Sequence, residues 1–141
     1  MCDVFLPNEQ ERLNIARQED FEAALDTLGA QIPTIVVKAG AKGGIARHRE
    51  RTVTAPPLKI EVVDTTGAGD SFNAGFLYGY LEGWSLGQSL RLARACGSLS
   101  TRGAGGAERQ PTIEEAKRAL AGTLLRPRSR GQYTKTPLAL R

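Results

Sequence analysis

The chain reads as an α/β protein, a mostly parallel sheet with helices and one small antiparallel hairpin. Three observations predict this class. Short β-branched runs alternate with helical patterns, which is the arrangement of β-α units. The run Ile60–Val63 reaches Asp64, passes through Gly67, Ala68 and Gly69, and opens into a long helical pattern, as a strand-to-helix turn does. Two short runs, Ile45–His48 and Arg51–Ala55, flank Arg49-Glu50 at hairpin spacing.

The elements follow in order. Residues 2–6 form a short strand. Pro7-Asn8-Glu9-Gln10-Glu11 opens a helix that runs to about Arg17. Asp20 caps a second helix, with Phe21, Ala24, Leu25 and Leu28 at helical spacing and Gly29 at its end. Ile32–Lys38 is a buried-type strand, and Gly40–Gly44 is its turn. Pro56-Pro57 breaks the chain before a strand at 59–64. After Asp70 a helix runs to about Glu82, with Phe72, Phe76 and Tyr80 in one stripe that Leu77 and Leu81 widen. Ser85 caps a further helix with Leu86, Leu90, Ala93 and Leu99 inward. Gly103–Gly106 is a second glycine-rich loop, and Thr112-Ile-Glu-Glu115 is a capping box for a last helix ending near Leu125.

At 141 residues and 40% apolar composition, the chain has enough material for one domain with a core. No apolar run approaches the roughly 20 residues needed to span a bilayer, so no membrane role is expected. The N-terminus lacks the basic and apolar regions of a signal peptide, and the expected compartment is cytoplasmic. Two cysteines, Cys2 and Cys96, make neither a disulfide framework nor a metal site, and Cys96 reads as a small core residue. The net charge of +4 is unevenly placed. Residues 126–141 carry five basic and no acidic residues, whereas the first 125 carry 14 basic against 15 acidic. The organisation expected is therefore a domain over 1–125 and a basic, disordered tail over 126–141. Nucleic-acid binding through that tail is a weaker reading than a solvated extension. His48, between Arg47 and Arg49, reads as a surface residue, and Trp84 as packing at a helix junction.

The turn at 64–70 carries the chemistry. Glycines at a helix start expose backbone N–H groups at the positive end of the helix dipole, which makes an anion site. Asp70 in that same turn would repel an anion. It is better placed to accept a proton from a hydroxyl attacking that anion, which points to phosphoryl transfer to an alcohol. The plainer alternative is an ordinary β-α connection with Asp70 as a helix cap.

Asp64-Thr-Thr-Gly-Ala-Gly-Asp-Ser-Phe-Asn-Ala-Gly-Phe76 resembles, almost in full across its thirteen positions, the second signature of the PfkB (ribokinase-like) carbohydrate kinases. The resemblance implies a ribokinase-like αβα sandwich and an ATP-dependent sugar kinase. It implies Asp70 as general base, with the backbone N–H groups of Gly67, Ala68, Gly69 and Asp70 as an anion hole. Asp64 and the Thr66 carbonyl correspond to the part that holds a monovalent cation such as K+ in many members. Asn8 and Glu11, read alone, are a helix cap and a surface carboxylate. In the family, Asn-x-x-Glu at a helix start helps position Mg²⁺ and phosphate, largely through water. Lys38, Gly40 and Gly43 lie in a stretch similar to the family's nucleotide loop. It is not a Walker A loop, since no Gly-Lys-Ser/Thr closes it. Gly103 and Ala104, with the preceding helix, resemble the segment that covers adenine. Where members often have Ala-Asn in that helix, this chain has Ala93-Arg94, and Arg94 would either stack on the base or be solvated.

The resemblance runs from residue 2 to about 121 and covers only the C-terminal half of the family's length. A truncated product, a domain fragment and half of a split enzyme all satisfy this pattern. Such a half exposes an apolar sheet edge, so homo-oligomerisation or pairing with a complementary N-terminal half is expected. It would be a poor kinase alone, because the part that orients the sugar is absent. The alternative to a kinase is a non-catalytic nucleotide-binding remnant, or a partner of a separate N-terminal half. Ribose, fructose, 2-keto-3-deoxygluconate, a phosphorylated hexose and adenosine all stay open as substrates.

Overall fold

The structure is a computed structural model that describes residues 2–17, 19–105 and 109–124. The expected tail at 126–141 lies outside the described residues. By internal contacts the chain divides into a first compact unit, through Pro57, and a second from Leu58 onward.

The first unit holds β1 (Val4–Phe5), α1 (Glu9–Ala16), α2 (Phe21–Gly29), β2 (Thr34–Lys38), a 3-10 turn at Gly40–Lys42, β3 (Gly44–His48) and β4 (Arg51–Ala55). The strands form one sheet in the order β1-β2-β3-β4. β1 and β2 are parallel, with Val4 opposite Thr34. The other two pairs are antiparallel, with Ile35 opposite Arg47 and Ala46 opposite Val53. Ile35 and Val37 pack on Ala16, Ala24, Leu25 and Leu28 of α1 and α2, while Thr34 and Val36, which point to the other face, are also fully buried. A β-branched run buried on both faces is the signature of a central strand.

Capping explains the helix starts. Asn8 and Glu11 form a reciprocal capping box on α1, and Asp20 accepts from the Ala23 amide at 2.9 Å to cap α2. The hairpin turn sets Arg49 at φ 54, a left-handed conformation uncommon for a side-chain residue. Its amide donates to Pro33 O at 2.8 Å, and its carbonyl accepts from Arg47 Nε at 2.7 Å. Arg47 also pairs with Asp26 of α2.

The second unit holds α3 (Ala68–Leu81), α4 (Leu86–Ser100) and α5 (Ile113–Leu124). Leu92, Ala95, Cys96 and Leu99 of α4 pack with Ala116, Ile113, Ala119 and Leu120 of α5, and with Leu58 and Trp84. Burial pushes the Cys96 thiol up to about 11. α3 and α4 approach closely through glycines. A Cβ on Gly75 would lie 2.9 Å from Ala93 Cα and from Cys96 Sγ, and one on Gly79 would lie 2.7 Å from Ser89 Oγ.

Four expectations need correction. Residues 59–64 are not a strand. The amides of Val63 and Asp64 both donate to Thr101 O, at 2.8 and 3.1 Å, so no strand edge receives them. The Ile-x-Val-Val pattern measures fitness for a pleated partner, and no such partner lies beside it among the described residues of this unit. α3 begins at Ala68 rather than after Asp70, placing Asp70 in its first turn. Leu77 and Leu81 are 37% and 68% exposed, because the buried face of α3 is centred on Phe72, Gly75, Phe76 and Gly79. His48 is half-buried and hydrogen-bonds Thr34 Oγ1 through Nδ1 at 2.8 Å. Burial, then the neighbouring Arg49 charge, holds its pKa below the usual histidine value.

Candidate phosphoryl-transfer site

In the first unit the C-terminal end of β2 and the N-terminal end of α1 are adjacent. Lys38 N donates to Pro7 O at 3.1 Å, and Asn8 bridges Lys38 in parallel sense. Lys38, Gly40, Gly43, Asn8 and Glu11 are thereby brought together beyond the carboxyl ends of two parallel strands, where open α/β sheets bind ligands. Asn8 Oδ1 accepts from the Glu11 amide at 2.8 Å, and Glu11 Oε2 accepts from the Asn8 amide at 2.9 Å. Both side chains are exposed and keep lone pairs beyond the box. That donor set fits a hydrated Mg²⁺ held through water. Among the described residues no group of three or more His, Cys, Asp or Glu forms an all-protein metal cage.

The loop after β2 depends on its glycines. Gly40 has φ +52 and Gly43 φ +95, and a Cβ at Gly43 would overlap the Ala55 carbonyl. The Gly43 amide donates to Gly40 O at 3.0 Å, while its carbonyl accepts from Ala39 N at 2.9 Å. Lys42 at the tip is 3.8 Å from Glu9 of α1, an exposed pair that contributes little to stability.

In the second unit Gly67, in the left-handed conformation at φ 77, turns the chain into α3. Ser71 N donates to Gly67 O at 3.0 Å. The Ala68 amide turns back onto Thr65 O at 3.1 Å, so it is engaged. The amides of Gly67, Gly69 and Asp70 have no acceptor among the described residues. Asp70 is exposed in that same turn. One helix N-terminus thus presents open N–H donors and a carboxylate together.

Asp64 is the hub of the preceding turn. Its Oδ1 accepts from Thr66 N at 2.9 Å and from Thr66 Oγ1 at 2.7 Å, and its Oδ2 accepts from Gly105 N at 3.4 Å. These bonds, the Thr66 amide foremost, hold its pKa below the usual carboxylate value. Three N–H or O–H donors thus converge on one carboxylate and order the turn.

Sequence reasoning missed three participants. Arg109 lies on Gly103, where a Cβ would meet its side chain at 2.6 Å. Gly105 donates to Asp64, and Thr101 supplies the carbonyl that anchors Val63 and Asp64. None of these has a signal at fixed spacing, since Gly105 and Thr101 act through backbone groups and Arg109 through a side-chain contact outside any motif. Arg94 is neither solvated nor open to a base. It is 6% exposed, and its Nε and Nη2 have no partner among the described residues. Burial, then Arg91, pushes its pKa down to about 10.

An α/β chain with a glycine turn, open helix-terminal amides and an adjacent carboxylate has the parts of a phosphate-handling protein. The sequence profile of the pfkB family carbohydrate kinases matches residues 1–113. The chain belongs to this family, and its fold is ribokinase-like. It is 44% identical over 90 residues to an uncharacterized sugar kinase of Archaeoglobus fulgidus, a match covering 63% of this chain and 36% of that protein. To a ribokinase of Lactococcus lactis it is 34% identical over 118 residues, covering 84% of this chain and 38% of the relative. Among solved structures, an E. coli chain provisionally named ribokinase II, in complex with ATP and Mg²⁺, aligns with TM-score 0.80 and 26% identity, covering 85% of this chain and 39% of that one. The chain therefore spans little more than a third of the length of these relatives.

Proposed function

We propose that this chain carries the nucleotide-handling and phosphoryl-transfer part of a cytoplasmic ATP-dependent kinase acting on a sugar or nucleoside hydroxyl. The carrying observation is the first turn of α3, where Asp70 stands beside the unengaged amides of Gly67, Gly69 and Asp70 itself. Asp70 takes the proton of the attacking hydroxyl. The amides and the positive end of α3 stabilise the charge that develops on the transferred phosphoryl group. The Ala68 amide adds to this only where its bond to Thr65 opens. Lys38, Gly40 and Gly43 handle the nucleotide phosphates, while Gly103 and Ala104 cover the base. Asn8 and Glu11 hold Mg²⁺ through water, and Mg²⁺ when bound would neutralise phosphate charge.

Asp70→Asn tests the base. Transfer should fall by about 10²–10⁴, with ATP affinity within about threefold of wild type. Near-normal turnover in that variant would remove Asp70 from the role.

A second reading is a nucleotide-binding module without turnover, or a partner of a separate N-terminal half. ADP release from ATP and Mg²⁺ with a panel of sugars and nucleosides separates the two. Release above the acceptor-free rate supports the kinase, and binding without release supports the module.

A further inference from the structure

We propose that the Lys42 ammonium binds the phosphate chain of the nucleotide and that Glu9 is its resting counter-ion, so that nucleotide and Glu9 compete for one lysine. The inference rests on the nucleotide role assigned above to the loop after β2. Lys42 ends the 3-10 turn Gly40–Lys42 at the tip of that loop. Its backbone is fixed. Lys42 N donates to Ala39 O at 2.9 Å, and Ala39 N donates to Gly43 O at 2.9 Å. A Cβ on Gly43 would overlap the Ala55 carbonyl, so the turn is seated against the end of β4. What is left to move is the Lys42 side chain, which is 79% exposed.

Glu9 is the first residue of α1 and follows Asn8, whose amide donates to Glu11. Its Oε1 lies 3.8 Å from Lys42 Nζ. A bonded ammonium–carboxylate pair closes to about 2.7–2.9 Å. The two charges therefore attract without a hydrogen bond, and they part at little cost. The contact still shows where the ammonium stands. It lies at the first turn of α1, beyond the carboxyl ends of β1 and β2. A phosphate chain is a stronger partner than one carboxylate, since it carries several charges. Lysine meets it as a point charge on a flexible four-carbon stem. The change of partner needs only rotation of side-chain bonds. A nucleoside has no group that can displace Glu9, so the exchange also favours nucleotide over nucleoside at this end of the sheet.

The test is a set of affinities on the full chain, measured by NMR shift titration with ATP, ADP and adenosine at one Mg²⁺ concentration. Wild type is compared with Lys42→Met, Lys42→Arg, Glu9→Gln and the double variant Glu9→Gln with Lys42→Met. Lys42→Met should weaken ATP and ADP by about tenfold, the loss of one charged contact, and leave adenosine unchanged. Lys42→Arg, which keeps the charge, should retain most of the ATP affinity. Glu9→Gln should tighten ATP and ADP by about two- to fivefold, the strength of one exposed ion pair. In the double variant that gain should vanish, because no ammonium is left to release. Both side chains are exposed, so the urea midpoint should stay near that of wild type in every variant.

Unchanged ATP affinity in Lys42→Met overturns the proposal, and so does an equal loss for ATP and adenosine, which would mark a distorted loop. Equal tightening by Glu9→Gln with and without Lys42 assigns Glu9 to direct repulsion of phosphate and overturns the exchange. Weaker ATP binding in Glu9→Gln assigns that carboxylate to Mg²⁺ and overturns it as well. Each of these outcomes leaves the nucleotide reading standing. If wild type binds neither ATP nor ADP, the nucleotide reading itself fails and the proposal falls with it.

Discussion

Gly75→Ala is the sharpest probe of how α3, which carries Asp70, is held. The new methyl would lie 2.9 Å from Ala93 Cα, 2.9 Å from Cys96 Sγ and 3.0 Å from Leu92 O. Ordinary carbon contacts sit at about 3.5–4.0 Å, so α4 must retreat by roughly 0.6–1 Å, and a gap of that size forfeits about a quarter to a half of each contact along the interface. Two of the three obstacles are backbone atoms and cannot swing away. The cost belongs at the top of the overpacking range, about 3 kcal/mol. With a urea m-value of about 1.5 kcal/mol/M, the midpoint should fall by about 2 M.

Trp84, the sole tryptophan, packs on the α4–α5 cluster and reports this unit by fluorescence. Gly83→Ala is the control. Nothing lies within 4 Å of its Cβ, and only its φ of +72 resists a side chain, which costs about 1 kcal/mol. A midpoint shift for Gly75→Ala no larger than that for Gly83→Ala would refute the close-packing account.

Arg94→Met should raise stability by about 1–2 kcal/mol, because it removes a buried charge with two unpartnered nitrogens. The folded-state pKa lies below the unfolded one, so the charged form is penalised in full at neutral pH and the Arg94 contribution becomes less unfavourable as pH climbs through about 10. The raised Cys96 thiol works the other way in both proteins, so the stability gap between Arg94→Met and wild type should narrow over this range. Denaturant midpoints from pH 8 to 10.5 check this. A destabilised variant, or one whose gap to wild type is the same at every pH, would count against it. Val62, Val63 and Leu81, at 58%, 61% and 68% exposure, should drive self-association visible by sedimentation, and Val62→Lys with Leu81→Lys should reverse it. A wild-type chain that sediments as a clean monomer contradicts that expectation.

Most helix boundaries were legible because capping chemistry is local. Asp20, Ser85 and Thr112 each announce a helix one residue before it starts. The hairpin was legible for the same reason, with Arg51–Ala55 matching the sequence expectation residue for residue. What failed depended on partners distant in the chain. Residues 59–64 have strand composition, but the Val63 and Asp64 amides donate to a helix C-terminus. Gly75 reads as one letter of a signature, while its physical role is to admit α4. Arg12 lies in a helix without an apolar stripe. It is nevertheless fully buried, with its guanidinium 3.6 Å from the Phe21 ring centroid and bonded to Phe21 O. The pattern around Asp64–Asp70 named the residues of the site but not which amides are open, since the Thr65 bond to Ala68 leaves no mark in composition.

The Thr101 carbonyl has a consequence for how order is distributed in the second unit. Joining Asp64 to Gly105 closes a loop of 41 residues, which costs about 3 kcal/mol of chain entropy. A few exposed hydrogen bonds of about 1 kcal/mol each barely offset that. The antiparallel packing of α3 on α4 has already brought the two ends near one another, so most of the closure is accomplished by helix packing remote from the loop. The geometry of the anion loop is thus underwritten by a helix interface that touches no ligand. Its rigidity is set at Gly75 and Gly79, one to three helical turns from Asp70.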